Sequence, residues 1–334
     1  MNYIPIAFIA DYNFFLPTVV AITSLLESKN KSTDYMIYLI NIGFLDTQRK
    51  MIEELSEKYS TPIKLVDIKD DYISKTYPFL NEHNCSASPA ALLKFDLANL
   101  CAPEDCVLYL DGDIIVKGDL GELKSIALTD DKYVYAVHDT GALYSRNLIE
   151  QNIDNYFNSG VMLLNLKAIR QNDISRKLVE AKMNSQDVSL MDQNIFNKVF
   201  YENKGFLPHS FNVLYVNLIR ATYFYGLKIE KVNEMTGTDY SDWNDMFEKA
   251  VIVHYSSFDK PWKYSDVTAV ELWDKYFKLS PVSAEQLKRK KIHNDFINKL
   301  RKHKLTGLLG SFIWETETKG LRKALIDAKR YIIK

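Results

Sequence analysis

The stretch Tyr109-Leu110-Asp111-Gly112-Asp113-Ile114-Ile115-Val116 decides how the rest of the chain is read. Val107–Leu110 is a short continuous apolar run of the kind that forms a strand buried on both faces of a parallel sheet. Two carboxylates, two residues apart, close it. In open α/β sheets ligands bind outside the carboxyl ends of strands. Carboxylates there are costly to bury without a counter-charge. A divalent cation with a preference for hard oxygen ligands, often completed by substrate phosphates, is the natural one. Gly112 lets backbone or ligand approach closely. Asp-Gly is also a common turn dipeptide, so the doublet alone leaves a plain turn open.

Working outward, more apolar runs alternate with helical patterns. Strands are expected at Ile6–Ala10, Tyr35–Ile40, Ile63–Val66, Tyr133–Val137, Gly160–Leu166 and Val251–Tyr255. Helical spacing spans Phe14–Leu26, with Pro17 in its first turn. It recurs over Asp46–Tyr59, with Asp46 as N-cap, and over Ser88–Leu100, Ile174–Met183 and Asp192–Phe200. Phe206–Asp245 reads as irregular and rich in Tyr and Asn. The alternation predicts an α/β fold with an open sheet of the nucleotide-binding sort. No GxGxxG follows the first strand, so the phosphate cradle of a dinucleotide site is missing.

The 334 residues carry a formal net charge of -1, with 47% apolar and 25% charged residues, ordinary for a globular protein. From Pro281 to Lys334 there are 14 Lys and Arg against 5 Asp and Glu, so this tail carries +9 and residues 1–280 carry -10. An acidic body with a basic tail is not a uniformly basic nucleic-acid binder, and no nucleic-acid partner is expected. Cys85, Cys101 and Cys106 form no CxxC pair and read as small, reduced core residues, consistent with a cytoplasmic protein. No stretch of about 20 apolar residues suggests a membrane span.

A second feature supports the cation. His254 ends an apolar strand in Val253-His254-Tyr255-Ser256-Ser257-Phe258-Asp259-Lys260-Pro261-Trp262. It could be a hydrogen-bonded core histidine, or it could supply imidazole to the same metal as the aspartates. Lys260 could neutralise a phosphate as a point charge, and Trp262 reads as packing.

These motifs, in this order, resemble glycosyltransferase family 8, the retaining sugar-nucleotide transferases that include bacterial lipooligosaccharide α-galactosyl- and α-glucosyltransferases and glycogenin. The others that carry the resemblance are Ala10-Asp11-Tyr12-Asn13, Phe157-Asn158-Ser159-Gly160-Val161-Met162-Leu163-Leu164-Asn165-Leu166 and Asp192-Gln193-Asn194-Ile195-Phe196-Asn197. It runs from the first strand to about Lys263. It implies a single Rossmann-like domain of the GT-A type with a mixed central sheet over residues 1–280, followed by the basic helical tail 281–334. It further implies a UDP-hexose donor, a saccharide acceptor that can be lipid-linked, and Mn²⁺ or Mg²⁺ as cofactor. By the resemblance Ala10, Asp11 and Asn13 face uracil and ribose. Asp111, Asp113 and His254 bind the metal, and Ser257 and Lys260 flank the diphosphate. Asn158, Gly160, Asp192 and Gln193 surround the donor sugar, with Asp192 and Gln193 as candidate catalytic groups, and Asp139 contacts the acceptor.

Two departures stand out. The usual HxxGxxKPW has glycine where this chain has Ser257. An arginine usual near the sugar is replaced, on this alignment, by Leu92, with Lys94 matching a further basic residue of the segment. Within the resemblance, retention has two routes: a covalent or ion-pair intermediate on Asp192 or Gln193, or attack from the leaving-group side with a phosphate oxygen taking the acceptor proton; the second is favoured. A protein-linked glycan acceptor, or a UDP-sugar-binding or nucleotidyl-transfer protein without glycosyl transfer, are the alternatives. The tail interleaves Lys and Arg with Leu305, Leu308, Leu309, Phe312, Ile313 and Trp314, which suggests peripheral contact with an anionic membrane at its inner face. A docked terminal helix explains the same pattern.

Overall fold

A computed structural model describes residues 3–76, 89–126, 128–144, 155–185, 192–257 and 260–289. In chain order the first elements are β1 (Tyr3–Asp11), α1 (Phe15–Glu27), β2 (Asp34–Ile42), α2 (Asp46–Tyr59), β3 (Ile63–Asp67) and α3 (Asp70–Thr76). Next come α4 (Pro89–Leu92), a 3-10 turn over Leu93–Asp96, α5 (Leu97–Leu100), β4 (Val107–Leu110), β5 (Ile114–Val116) and β6 (Val134–His138). They are followed by β7 (Phe157–Leu164), α6 (Leu166–Gln171), α7 (Ile174–Met183), α8 (Gln193–Val199) and β8 (Lys204–Phe206). The last are α9 (Tyr215–Tyr225), α10 (Ile229–Thr236), α11 (Trp243–Lys249), β9 (Ile252–His254) and α12 (Val270–Leu279).

The central sheet has seven strands in the order β3-β2-β1-β4-β7-β6-β8. β3, β2, β1 and β4 are mutually parallel, β7 is antiparallel to both β4 and β6, and β8 is parallel to β6. The expected mixed α/β sheet is therefore present. β1, β4 and β7 carry side chains into apolar cores on both faces. Ile6, Phe8 and Leu108 pack against α1 on one side. Ala7, Tyr109 and Met162 pack against the α5–α8 layer on the other. This two-sided burial is why these strands appear as unbroken apolar runs rather than alternating ones.

Several sequence expectations need correction. Asp46 is the first residue of α2, and Leu45 is the capping position. Ser88–Leu100 is not one helix: α4 and α5 flank a 3-10 turn in which Leu93, Lys94, Phe95 and Asp96 are all buried. β7 begins at Phe157, three residues before the expected start, so Asn158 and Gly160 lie inside a strand. Phe206–Asp245 holds three helices. α9 and α10 end on Gly226 and Gly237 in left-handed conformation, and the Asp242 side chain caps α11. Their Tyr- and Asn-rich sequence has modest helix propensity, and burial of Val216, Leu218, Ala221 and Phe224 against the core stabilises α9. Cys101 is buried and Cys106 half-buried, both as free thiols; burial pushes the Cys101 thiol up to about 12, as suits a core residue. Cys85 and the tail beyond Arg289 lie outside the described residues. Among the described residues no helix is long and apolar enough to cross a membrane.

Candidate active site

The two aspartates are placed by a change of partner strand. At the end of β4 the Asp111 N–H still donates to the Gly160 carbonyl on β7 at 2.8 Å. Two residues later the chain leaves that ladder, and the Tyr255 N–H donates to the Asp113 carbonyl at 2.8 Å as β5 pairs antiparallel with β9. Ile114 opposes His254 in that register, which sets the imidazole beside Asp113. His254, 141 residues away in sequence, thus joins the doublet through backbone pairing. Nε2 of His254 lies 3.1 Å from Asp113 Oδ1 and 3.8 Å from Asp111 Oδ2. One potential ligand atom from each of the three residues falls within 4.8 Å of the others.

Gly160 permits this closeness, and Gly112 lets the turn between the aspartates pack against Phe14 and Thr18. A Cβ on Gly160 would meet His254 Cε1 at 2.3 Å and Asp111 Oδ2 at 2.8 Å. One on Gly112 would meet Thr18 Oγ1 at 2.2 Å and the Phe14 ring at 3.2 Å. Bare backbone at 160 leaves the three donor side chains free to converge. Two carboxylates and one imidazole are a donor set suited to a divalent ion. The residues present therefore fit a bound metal.

Two lysines balance the acids. Lys94 Nζ lies 3.0 Å from Asp111 Oδ1 and 2.7 Å from Asp192 Oδ2, with its side chain 6% exposed. Burial alone would depress this ammonium, but the two carboxylates outweigh it and hold the group above its ordinary value. Lys260 Nζ donates to Asp113 Oδ2 at 2.6 Å and to the Tyr255 carbonyl at 2.5 Å. Burial would raise the Asp113 carboxyl, yet Lys260 and His254 hold it well below the usual carboxylate range. The Tyr109 hydroxyl donates to Asp111 Oδ1 at 2.7 Å, and burial pushes that phenol well above its usual value.

Around this centre is a cavity of about 580 Å³. Ala10, Asp11 and Asn13 from the end of β1 line one side. Asn158, Asp192 and Gln193 line the other, and Asp111, Asp113 and His254 lie between. Asp11 Oδ1 accepts from the Asn13 and Phe14 N–H groups at 2.9 Å, which turns the chain from β1 into α1. Asp192 Oδ2 accepts from the Ser159 hydroxyl at 2.9 Å, besides its contact with Lys94. Gln193 is held at both ends: Oε1 accepts from the Ser159 N–H at 3.1 Å, and Nε2 donates to Asp139 Oδ2 at 2.7 Å. Asp139 is buried, its oxygens turned to Gln193, Asn158 and the Gly141 N–H. Ser256 lines the cavity, and Ser257 is buried beside it.

Leu92 is fully buried in the core and does not line the cavity. The cation of that segment is Lys94, two residues on and across the bend of the 3-10 turn. The family resemblance already marks Lys94, though helical periodicity does not, because the turn breaks the spacing. Sequence reading missed Ser159 and Asn212, both buried and hydrogen-bonded within the site. Ser159 lies within a quoted motif, whereas Asn212 follows an unremarkable Phe211 and gives no local signal.

Comparison with known proteins matches this arrangement to the model of glycosyl transferase family 8 over residues 5–266. The chain belongs to glycosyl transferase family 8. It is 28% identical over 280 residues to a lipopolysaccharide 1,2-glucosyltransferase of Escherichia coli, covering 81% of this chain and 77% of the relative. It is 26% identical to a lipopolysaccharide 1,3-galactosyltransferase of Salmonella typhimurium, covering 85% of this chain and 83% of the relative. Among solved structures it resembles the galactosyltransferase LgtC in complex with donor and acceptor sugar analogs. That likeness has a TM-score of 0.68 and 23% identity, covering 85% of this chain and 98% of the other. It also resembles the bifunctional glycosyltransferase WbbM, of which it spans half, with a TM-score of 0.67 and 21% identity over 84% of this chain. These two likenesses concern the fold.

Proposed function

We propose that this family-8 chain transfers a hexose, galactose or glucose, from a UDP-sugar to a saccharide hydroxyl with retention of the α configuration, in the synthesis of a cell-surface glycan. The observation that carries the reading is the convergence of Asp111, Asp113 and His254, with Lys260 on Asp113, in a cavity that also reaches Asp11 and Asn13. A cation held by Asp111, Asp113 and His254, Mn²⁺ or Mg²⁺, would supply Lewis-acid stabilisation of the departing diphosphate. Lys260 places a second positive charge on the same side, where leaving-group charge develops. Asp11 and Asn13 hold the nucleoside at the end of β1.

On the sugar side Asp192 pairs with Lys94 at 2.7 Å and offers a carboxylate to an oxocarbenium-like centre. The Gln193 amide oxygen is already occupied by the Ser159 N–H and the Asn158 amide, which counts against it as a nucleophile. This supports attack from the leaving-group face, with a diphosphate oxygen accepting the acceptor proton. The sugars named for the two bacterial relatives support glucose or galactose as the donor sugar and a lipid-linked saccharide as the acceptor. Residues 1–280 would form the catalytic domain at the cytoplasmic face, and the +9 tail would meet an anionic surface. The test is UDP release from UDP-glucose and UDP-galactose with Mn²⁺, with and without a chelator. Metal-dependent turnover of one donor is expected. No turnover of any UDP-hexose, or turnover that survives chelation, would overturn the reading.

A further inference from the structure

A chain of four amide and imidazole side chains leads from the backbone of β7 to the metal-facing nitrogen of His254, and backbone donors set its polarity. The Gly160 N–H can only donate, and it faces Asn158 Oδ1 at 3.0 Å. That atom is therefore the oxygen, and the Asn158 amine points the other way, 3.1 Å from Gln193 Oε1 and 3.3 Å from Asp139 Oδ2. Gln193 is fixed independently: its Oε1 accepts from the Ser159 N–H, and its amine meets the accept-only carboxylate of Asp139. Asn212 touches Asn158 Oδ1 at 2.9 Å, so it must present its amine there. Its oxygen is left facing His254 Nδ1 at 2.9 Å. An amide oxygen only accepts, so the proton at that contact belongs to Nδ1. Nε2, the other ring nitrogen, is the atom beside Asp113 and Asp111, whose carboxylates only accept, so a lone pair on Nε2 has a favourable partner there only in a bound cation.

We propose that Asn212 is a positioning residue that fixes His254 in the Nδ1–H tautomer, so that Nε2 presents its lone pair to the Asp111–Asp113 centre. The inference rests on the metal reading above and deepens it. The orienting partner of a metal-binding imidazole is commonly a carboxylate or backbone carbonyl; here it is a neutral side-chain amide, aligned by β7. Asn212 is 1% exposed and follows a 3-10 turn, with its neighbour Val213 bridged to β9, so its side chain has little freedom to swing away.

The experiment uses the full chain. Ring ¹⁵N shifts of His254 are recorded in the presence of Mg²⁺, a diamagnetic stand-in, and Mn²⁺ affinity is read by electron paramagnetic resonance without donor. The wild type should show the proton on Nδ1. Asn212→Leu removes the acceptor and should lose that tautomer, with Mn²⁺ affinity falling about 10–100-fold. Asn212→Asp keeps an acceptor for Nδ1–H while losing the donor to Asn158, and should retain the tautomer and most of the affinity. A proton on Nε2 in the wild type would overturn the assignment. So would an Asn212→Leu protein that keeps both the tautomer and the affinity. A wild type with the Nδ1–H ring that takes up no Mn²⁺ would uphold the relay and remove the metal reading instead.

Discussion

The two lysines of the site are held in opposite ways. Lys94 lies at the cavity floor, fully buried, between Asp111 and Asp192, with the Ser159 carbonyl at 3.5 Å and the Tyr109 ring below it. Lys260 sits nearer the rim, on Asp113 and one loop carbonyl. The floor is a network in which Asp192, Asp111 and Lys94 share contacts. The rim is, among the described residues, one carboxylate, one carbonyl and the Trp262 ring around a lysine side chain 16% exposed. A floor of this kind fixes geometry before substrate arrives, whereas a rim lysine can exchange a carboxylate for a phosphate at little cost.

Breaking the floor should have the largest effect. Lys94→Met strands the buried Asp192 carboxylate and the half-buried Asp111 carboxylate and should cost about 3 kcal/mol of stability, measured by denaturant unfolding, together with nearly all turnover. A variant as stable as the wild type would show that the acids relax into solvent. Asp192→Asn removes charge while keeping shape. It should lower kcat by about 10²–10³-fold, the scale of one lost electrostatic contact in a transition state, while UDP affinity stays near wild type. Equal losses of both would move Asp192 to the nucleotide side. At the rim, Lys260→Gln should weaken UDP binding by about tenfold, as for one hydrogen bond to a charged group, with little change in melting temperature. A melting loss as large as that of Lys94→Met would erase the distinction between the two lysines.

The smallest effect is on pH dependence. The Asp113 carboxyl is held well below its usual range, so the folded state resists protonating it while the unfolded chain does not. Its contribution to stability is complete above the unfolded carboxylate value of about 4 and is lost as pH falls below it. Metal-free wild type should therefore lose melting temperature on acidification below about pH 4, and Asp113→Asn should flatten that slope. An unchanged slope would mean that the rim ion pair adds nothing to the fold.

Much of this site was legible because its motifs sit on regular elements. The YLDGDIIV run and the apolar strand before His254 are buried on both faces, so their boundaries follow from composition. The parallel half, β3-β2-β1-β4, alternates with helices as its pattern implies. The helices of residues 215–249 were not legible, since packing and glycine caps form them rather than propensity. Lys94 was legible only through its match to the family's segment and not through helical spacing, because a 3-10 turn sets which residue faces the cavity.

What the sequence by itself determined was the inventory: two acids at a strand end, a histidine on a later strand, a lysine after it, and a nucleotide-type sheet to carry them. Only the tertiary structure decided their partnerships. The β5–β9 register brings His254 to Asp113, the bare backbone of Gly160 gives them room, and the buried amides of Asn158 and Asn212 orient the ring. Each of these depends on contacts between residues far apart in the chain. No local pattern of side chains encodes such pairings, because hydrogen-bond direction and close approach are set by the packed backbone.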